Sequence, residues 1–159
     1  MELYLLRHGI AELRQPSRPD AQRALTEDGK VKLRKVLARA KKAGVAPSLI
    51  LTSPYTRALQ TAELAAEVLG YQGQIVKTPA LLPGGSPPAI WAEIRSRPNE
   101  RAVLLSGHEP LLSEAAAYLL NAPTLKMDLK KGALVRIDLE RVTAEPQGEL
   151  KWLLTPKTA

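Results

Sequence analysis

Three short stretches of this chain each join an apolar run to groups able to do chemistry. Leu3–Leu6 runs into Arg7-His8-Gly9, Leu49–Thr52 into Ser53-Pro54-Tyr55-Thr56-Arg57, and Ala102–Ser106 into Gly107-His108-Glu109. An imidazole among guanidinium groups suits phosphoryl transfer. The planar fork of arginine matches phosphate oxygens, and the transfer needs an in-line nucleophile with cations on the equatorial oxygens. In that chemistry His8 attacks while Arg7, Arg57 and His108 hold the oxygens. Neighbouring guanidinium charges lower an imidazole's pKa, so His8 is expected to be neutral and nucleophilic near pH 7. Gly9 allows a positive φ or a close approach of backbone to a ligand. Arg57 falls in the first turn of its expected helix, where a cation opposes the helix dipole. An anion held between it and the free N–H groups would account for it there.

These groups can meet only if the elements bring them to one edge. Leu3–Leu6, Leu49–Leu51 and Ala102–Ser106 are apolar runs of the kind found in strands buried on both faces. Helices are expected between them. Thr26 caps one, with Glu27 and Asp28 in its first turn, a stripe of Leu33, Val36, Leu37 and Ala40, and Gly44 after its end. Ser53-Pro54 predicts the next, with Ser53 as cap, Pro54 first and Gly70 as the stop. Ala89–Arg97 forms a short helix, and another follows Pro110 with Leu111, Leu112, Ala115, Ala116, Leu119 and Leu120 on one side. Ile10–Ala24, Thr78–Pro88 and Asn121–Lys131 read as loops. A short strand near Gln74–Lys77 and two at the end, Ala133–Leu139 and one defined by Leu150, Trp152 and Leu154, complete the chain. The order β-α-β-α-β-α-β-α-β-β implies a single domain over residues 1–159, a three-layer α/β/α sandwich with a mostly parallel central sheet and right-handed crossovers. In such sheets ligands bind beyond the carboxyl ends of the strands.

Composition narrows the function. The 159 residues include no cysteine, which excludes disulfides, thiolate nucleophiles and cysteine-based zinc sites. Two histidines a hundred residues apart offer no metal spacing, so no metal or other cofactor is expected. No apolar run approaches a membrane span, and Met1 leads directly into the first strand, so a cytoplasmic protein with no membrane contact is expected. The net charge is +7, and seven basic residues with no acid among them lie between Lys30 and Lys42. That face is either solvated or a phosphate-tracking patch. No aromatic residue is interleaved for base stacking, so a nucleic-acid partner is not expected.

Arg7-His8-Gly9, Ser53-Pro54-xx-Arg57-xx-Gln60-Thr61 and Gly107-His108 resemble the histidine phosphatase (phosphoglycerate mutase-like) superfamily. Within it, the small size and Arg23-xx-Thr26-xx-Gly29 are similar to the SixA-type phosphohistidine phosphatases. The resemblance implies His8 as the phosphorylated nucleophile, Arg7, Arg57, His108 and Gly9 around the phosphate, and Arg23 as an additional pocket arginine. Many members carry a general-acid glutamate in the loop after the third strand, but Thr78–Gly85 holds no carboxylate. Glu109 is then the acidic residue nearest the site, as a general acid or as a helix-start residue favoured by the dipole. Without a strong acid, a labile P–N bond fits best, which points to a phosphorylated histidine-containing protein as substrate. A phosphatase of small phosphomonoesters and a non-catalytic basic module binding phosphate or nucleic acid remain as alternatives.

Overall fold

A computed structural model describes residues 1–159. Six strands, β1 (Glu2–Arg7), β2 (Leu49–Thr52), β3 (Ile75–Lys77), β4 (Ala102–Gly107), β5 (Leu134–Leu139) and β6 (Gly148–Leu154), form one sheet in the order β3-β2-β4-β1-β5-β6. The first four strands are mutually parallel; β5 runs antiparallel to β1, and β6 antiparallel to β5. Four helices, α1 (Glu27–Lys42), α2 (Thr56–Leu69), α3 (Pro87–Arg95) and α4 (Leu111–Leu119), cover the two faces. The expected three-layer α/β fold with a mostly parallel sheet is the one observed.

Strand side chains alternate between faces, and the two hydrophobic clusters show it. Leu3, Leu5, Leu51, Val103 and Leu105 pack with residues of α3 and α4. Tyr4, Leu6, Ile50 and Leu104 pack with residues of α1 and α2. The central strands must therefore be apolar on both sides, which explains their unbroken runs. No helix is long and apolar enough to cross a membrane.

Helix α1 begins as its sequence requires: the Thr26 hydroxyl accepts from the Gly29 N–H at 3.0 Å, and Gly44 follows the end at φ 86°. Helix α2 corrects the expected start. It begins at Thr56 with Tyr55 as its N-cap, not at Ser53-Pro54; the Ser53 hydroxyl accepts from the Tyr55 N–H at 3.3 Å, ahead of the helix, and also bonds His108. The Ser-Pro helix start occurs instead at Ser86-Pro87, inside the segment expected to be loop, where Ser86 caps α3 by accepting from the Ala89 N–H at 3.3 Å. Short 3-10 turns at Pro79–Leu81, in that same expected loop, and at Asp20–Gln22, in Ile10–Ala24, interrupt the irregular segments. At the C-terminal edge a bulge shifts the pairing between Arg136 and Ile137. Trp152 therefore lies opposite Arg136 and Leu150 opposite Ile137, on the other face.

Candidate active site

Sheet register delivers the functional groups. Arg7 on β1 pairs with Gly107 on β4, and Thr52 on β2 pairs with Ser106 on β4's other side. The three strands end together. The next residues, His8, Ser53 and His108, emerge side by side, with the His8 and His108 rings 5.2 Å apart between centroids. They open on a pocket of about 220 Å³ lined by Arg7, His8, Ala11, Arg14, Asp20, Arg23, Arg57, Pro83, His108, Glu109 and Lys131. Five cations face two carboxylates, a lining suited to an anion. No group of three or more His, Cys, Asp or Glu side chains stands where it could hold a metal ion.

The protonation of His8 follows from its neighbours. Its Nδ1 lies 2.8 Å from the Gly9 carbonyl oxygen, which can only accept, so Nδ1 carries the proton. Its Nε2 accepts from the Arg57 Nε–H at 3.3 Å, so that nitrogen presents a lone pair. Burial pushes the His8 pKa down to about 3; the Gly9 hydrogen bond opposes this, and His108, Arg57 and Arg7 add to it. At neutral pH the ring is uncharged, with its tautomer fixed by the chain itself. Burial therefore exceeds the arginine charges as the cause.

Gly9, expected beside the phosphate, acts differently. It does not line the pocket, and its φ is not positive. Its N–H donates to the Thr61 hydroxyl at 3.1 Å and its carbonyl holds His8. A Cβ there would meet the Leu25 side chain at 3.3 Å and the Gly29 carbonyl oxygen at 3.5 Å, so close packing is what its small size serves. Gly29 answers from the other side, since a Cβ on it would reach the Ile10 carbonyl oxygen at 2.3 Å. With the Thr26 N–H bonded to that same oxygen at 2.9 Å, the Thr26-xx-Gly29 spacing seats the start of α1 against the turn after His8.

Arg57 is buried at 4% exposure and does face an anion, but one the sequence reasoning missed. Its Nη2 reaches the Asp20 carboxylate at 3.2 Å and its Nη1 the Asp20 carbonyl at 2.8 Å. Arg23 grips the same carboxylate through Nε at 2.7 Å and bonds the Glu12 carbonyl at 2.8 Å. Burial alone would raise the Asp20 pKa; hydrogen bonds and charge from Arg23 and Arg57 outweigh it and hold the carboxyl below its usual range. Asp20 thus stiffens two arginines on the pocket wall. The signal was its position three residues before Arg23 in a short turn, which geometry alone converts into a shared contact. Arg14 and Lys131 also came unannounced; both stand on loops whose course the sequence pattern does not set.

His108, 2% exposed, bonds the Ser53 hydroxyl through Nε2 at 2.8 Å, and burial foremost, then Arg57, lowers its pKa to about 4. Its Nδ1 has no partner. Neither has the buried Nε of Arg7, whose Nη1 donates to the Leu129 carbonyl at 2.7 Å. Two orphaned buried nitrogens on residues lining one pocket are unusual, because each typically costs about 1–3 kcal/mol. A tetrahedral oxyanion offers acceptors to such groups. Glu109 lines the pocket too, yet its carboxylate accepts from the Ser113 N–H at 2.8 Å, so it caps the start of α4. In the loop after β3, Thr78 donates to Glu93 at 2.6 Å, and neither lines the pocket. On α1, Lys30, Lys32 and Arg34 pair with Glu27, Asp28 and Glu67, so that face is less cationic than its sequence implies.

The chain is similar to known proteins along nearly its whole length. The chain is 37% identical to an uncharacterized protein of Picosynechococcus sp. over 99% of its own length and 98% of the relative's. It is 28% identical to the phosphohistidine phosphatase SixA of Escherichia coli, over 98% of this chain and 94% of that one. A structure of the protein histidine phosphatase SixA complexed with tungstate matches with a TM-score of 0.86 at 27% identity, covering 99% and 98% of the two chains. Residues 3–82, which carry His8, Arg23 and Arg57, match the histidine phosphatase superfamily (branch 1). With half the chain matched, and the strand ends meeting as described, this protein belongs to the histidine phosphatase superfamily and is a phosphatase of that family.

Proposed function

We propose that the protein hydrolyses phosphohistidine on a protein substrate, through a phosphohistidine intermediate on His8. The observation that carries this is the fixed tautomer of His8, with Nδ1–H on the Gly9 carbonyl and the Nε2 lone pair turned to the cationic pocket. As the Arg57 Nε–H turns from Nε2 to a phosphoryl oxygen, Nε2 attacks phosphorus, the bond to the substrate's ring nitrogen breaks, and the departing imidazole takes the electron pair. If that ring is already protonated at its other nitrogen, it leaves neutral and needs no acid. Arg7, Arg23, Arg57 and His108 hold the equatorial oxygens. The same economy applies to the second step. Phosphorylated at Nε2 and protonated at Nδ1, His8 is itself ready to leave as a neutral imidazole when water attacks.

The absence of a free acid supports phosphohistidine over an alkyl ester. Thr78–Gly85 holds no carboxylate, and Glu109 is occupied as a cap. An alkoxide needs a proton, and a positioned acid typically contributes ~10² to 10⁴. That the structural relative was solved with tungstate, a tetrahedral oxyanion, supports the pocket's role. The chemistry needs no metal, and EDTA is expected to leave turnover unchanged. The test is brief incubation with a labelled phosphohistidine peptide, quenched in alkali. An acid-labile, alkali-stable label on the protein, absent in His8→Ala, is expected. So is a kcat/KM that falls from phosphohistidine to aryl phosphate to alkyl phosphate. Full activity in His8→Ala sinks the mechanism; equal rates on all three substrates sink the substrate. Glu109 on the pocket wall is the observation favouring a small phosphomonoester instead.

A further inference from the structure

Beside the catalytic pocket, a groove of about 870 Å³ runs between α1 and the C-terminal segment. Lys32 and Lys35 line it from α1, Lys130 and Lys131 from the loop before β5, and Lys157 from the tail after β6. All five are exposed. Arg7 and Lys131 line both the groove and the pocket, so the two are continuous. Asp128 is the one acid on the groove wall, and it is paired with Lys130 at 2.7 Å. Lys32 pairs with Asp28 on its own helix at 2.9 Å. Lys35, Lys131 and Lys157 have no carboxylate within 4.0 Å. Six cations against one carboxylate give the groove an excess close to the whole chain's +7.

The two cavities use different cations. The pocket concentrates arginines, whose fork fits one phosphoryl group; the groove has lysines on long stems spread over three chain segments. Lysine is a flexible point charge without fixed geometry, suited to several separated anions rather than one. No aromatic residue lines the groove to stack a base. We propose that this groove docks an acidic segment of the protein substrate, carboxylates on the lysines, while the phosphohistidine enters the pocket past Arg7. Charge of this kind steers encounter and selects partners more than it adds contact energy. The inference rests on the proposed phosphohistidine activity and names the kind of protein that carries the group.

The test compares two phosphohistidine peptides of equal length, one flanked by Asp and Glu and one by Ser and Gln. Lys35→Glu/Lys157→Glu is the variant, with Lys35→Gln/Lys157→Gln as the milder one; neither position lines the pocket. At low salt the native protein should favour the acidic peptide by at least tenfold in kcat/KM. The charge-reversed variant should lose that preference while its rate on the neutral peptide stays within twofold. Raising salt to 0.5 M should erase the preference in the native protein, since the screening length then falls below about 5 Å. No preference in the native protein, or a preference the variant keeps, overturns the proposal. So does RNA binding that the variant loses while peptide preference survives. If neither peptide is hydrolysed, the substrate reading fails separately. The groove is then judged by anisotropy of the unphosphorylated acidic peptide: tenfold weaker binding to the variant upholds docking, and equal binding overturns it.

Discussion

Replacing Arg57 by alanine tests the site at its most connected residue. The guanidinium touches His8 Nε2 at 3.3 Å, the Asp20 carbonyl at 2.8 Å and the Asp20 carboxylate at 3.2 Å. A single preorganised donor on transition-state charge is worth about 10² to 10³ in kcat, or 2.7–4 kcal/mol. Arg57 offers more than one N–H, so the loss on p-nitrophenyl phosphate should lie near the upper end, about 10³. Arg57→Lys should recover only about tenfold, because an ammonium keeps the charge and loses the fork. One complication can be separated. Without Arg57, the Asp20 carboxylate loses a partner and could repel the phosphate itself. The double variant Arg57→Ala/Asp20→Asn removes that charge. If lost phosphoryl contact is the cause, the double variant stays as slow as the single one. Steady-state kinetics with vanadate inhibition would decide it, vanadate weakening in parallel with kcat/KM. A single variant within tenfold of native, or a double variant restored to native rate, refutes the argument that Arg57 holds the transferring group.

His8 and His108 have folded pKa values near 3 and 4, against ~6.5 when unfolded. Below pH 6.5 the unfolded chain binds protons the folded chain refuses, so stability is full above that pH. It should fall by about 1.4 kcal/mol per pH unit per histidine as pH drops towards 4. Urea titrations at pH 7, 6 and 5 check this, and the slope should flatten in His8→Asn/His108→Asn. Glu109→Gln should change aryl phosphate turnover less than threefold, since the amide oxygen can still accept from Ser113. A hundredfold loss with a flat leaving-group dependence would make Glu109 the acid. Gly29→Ala should lower the thermal midpoint and cost about 1–3 kcal/mol, because its methyl group meets the Ile10 backbone rather than a side chain that can yield. An unchanged midpoint would show that the start of α1 is not pressed against the catalytic turn.

The strands and the site's principal residues were legible because burial on both faces leaves a continuous apolar run, and a run that ends in a polar group announces a strand end. Arg7, His8, Arg57 and His108 were found that way, and each lines the pocket. What stayed hidden depends on contacts between distant segments. Ser53 and Ser86 both precede proline, and only Ser86 caps a helix; Ser53 stands ahead of its helix and bonds a histidine 55 residues away. Asp20 gave no signal in the sequence, because Arg57, one of the two arginines that hydrogen-bond its carboxylate, lies 37 residues away. Gly9 read as a site for a positive φ or for a ligand's close approach to the backbone, while in space Leu25 and Gly29 crowd it. The alternation at Leu150 and Trp152 was real but out of phase with the sheet, since a bulge leaves no mark in a hydrophobic pattern.

The strand order has a consequence for how this molecule comes into being. β1 and β2 are neighbours in sequence but never touch, because β4 lies between them. While residues 1–100 leave a ribosome, β1, which leads into His8, therefore has no strand beside it, and β2, which leads towards Arg57 on α2, has only β3. Leu3 and Leu49 both wait for Val103. Pairings across such distances are slow to form, since loop closure precedes any reward. Joining β1 to β2 and assembling the catalytic pocket become one event, set off by the arrival of β4, the strand that leads into His108. A fragment ending at Arg101 should show rapid hydrogen exchange throughout β1, whose two neighbours both lie beyond it. No half-made chain then carries a working nucleophile, and the newborn protein stays chemically silent until its fold is closed.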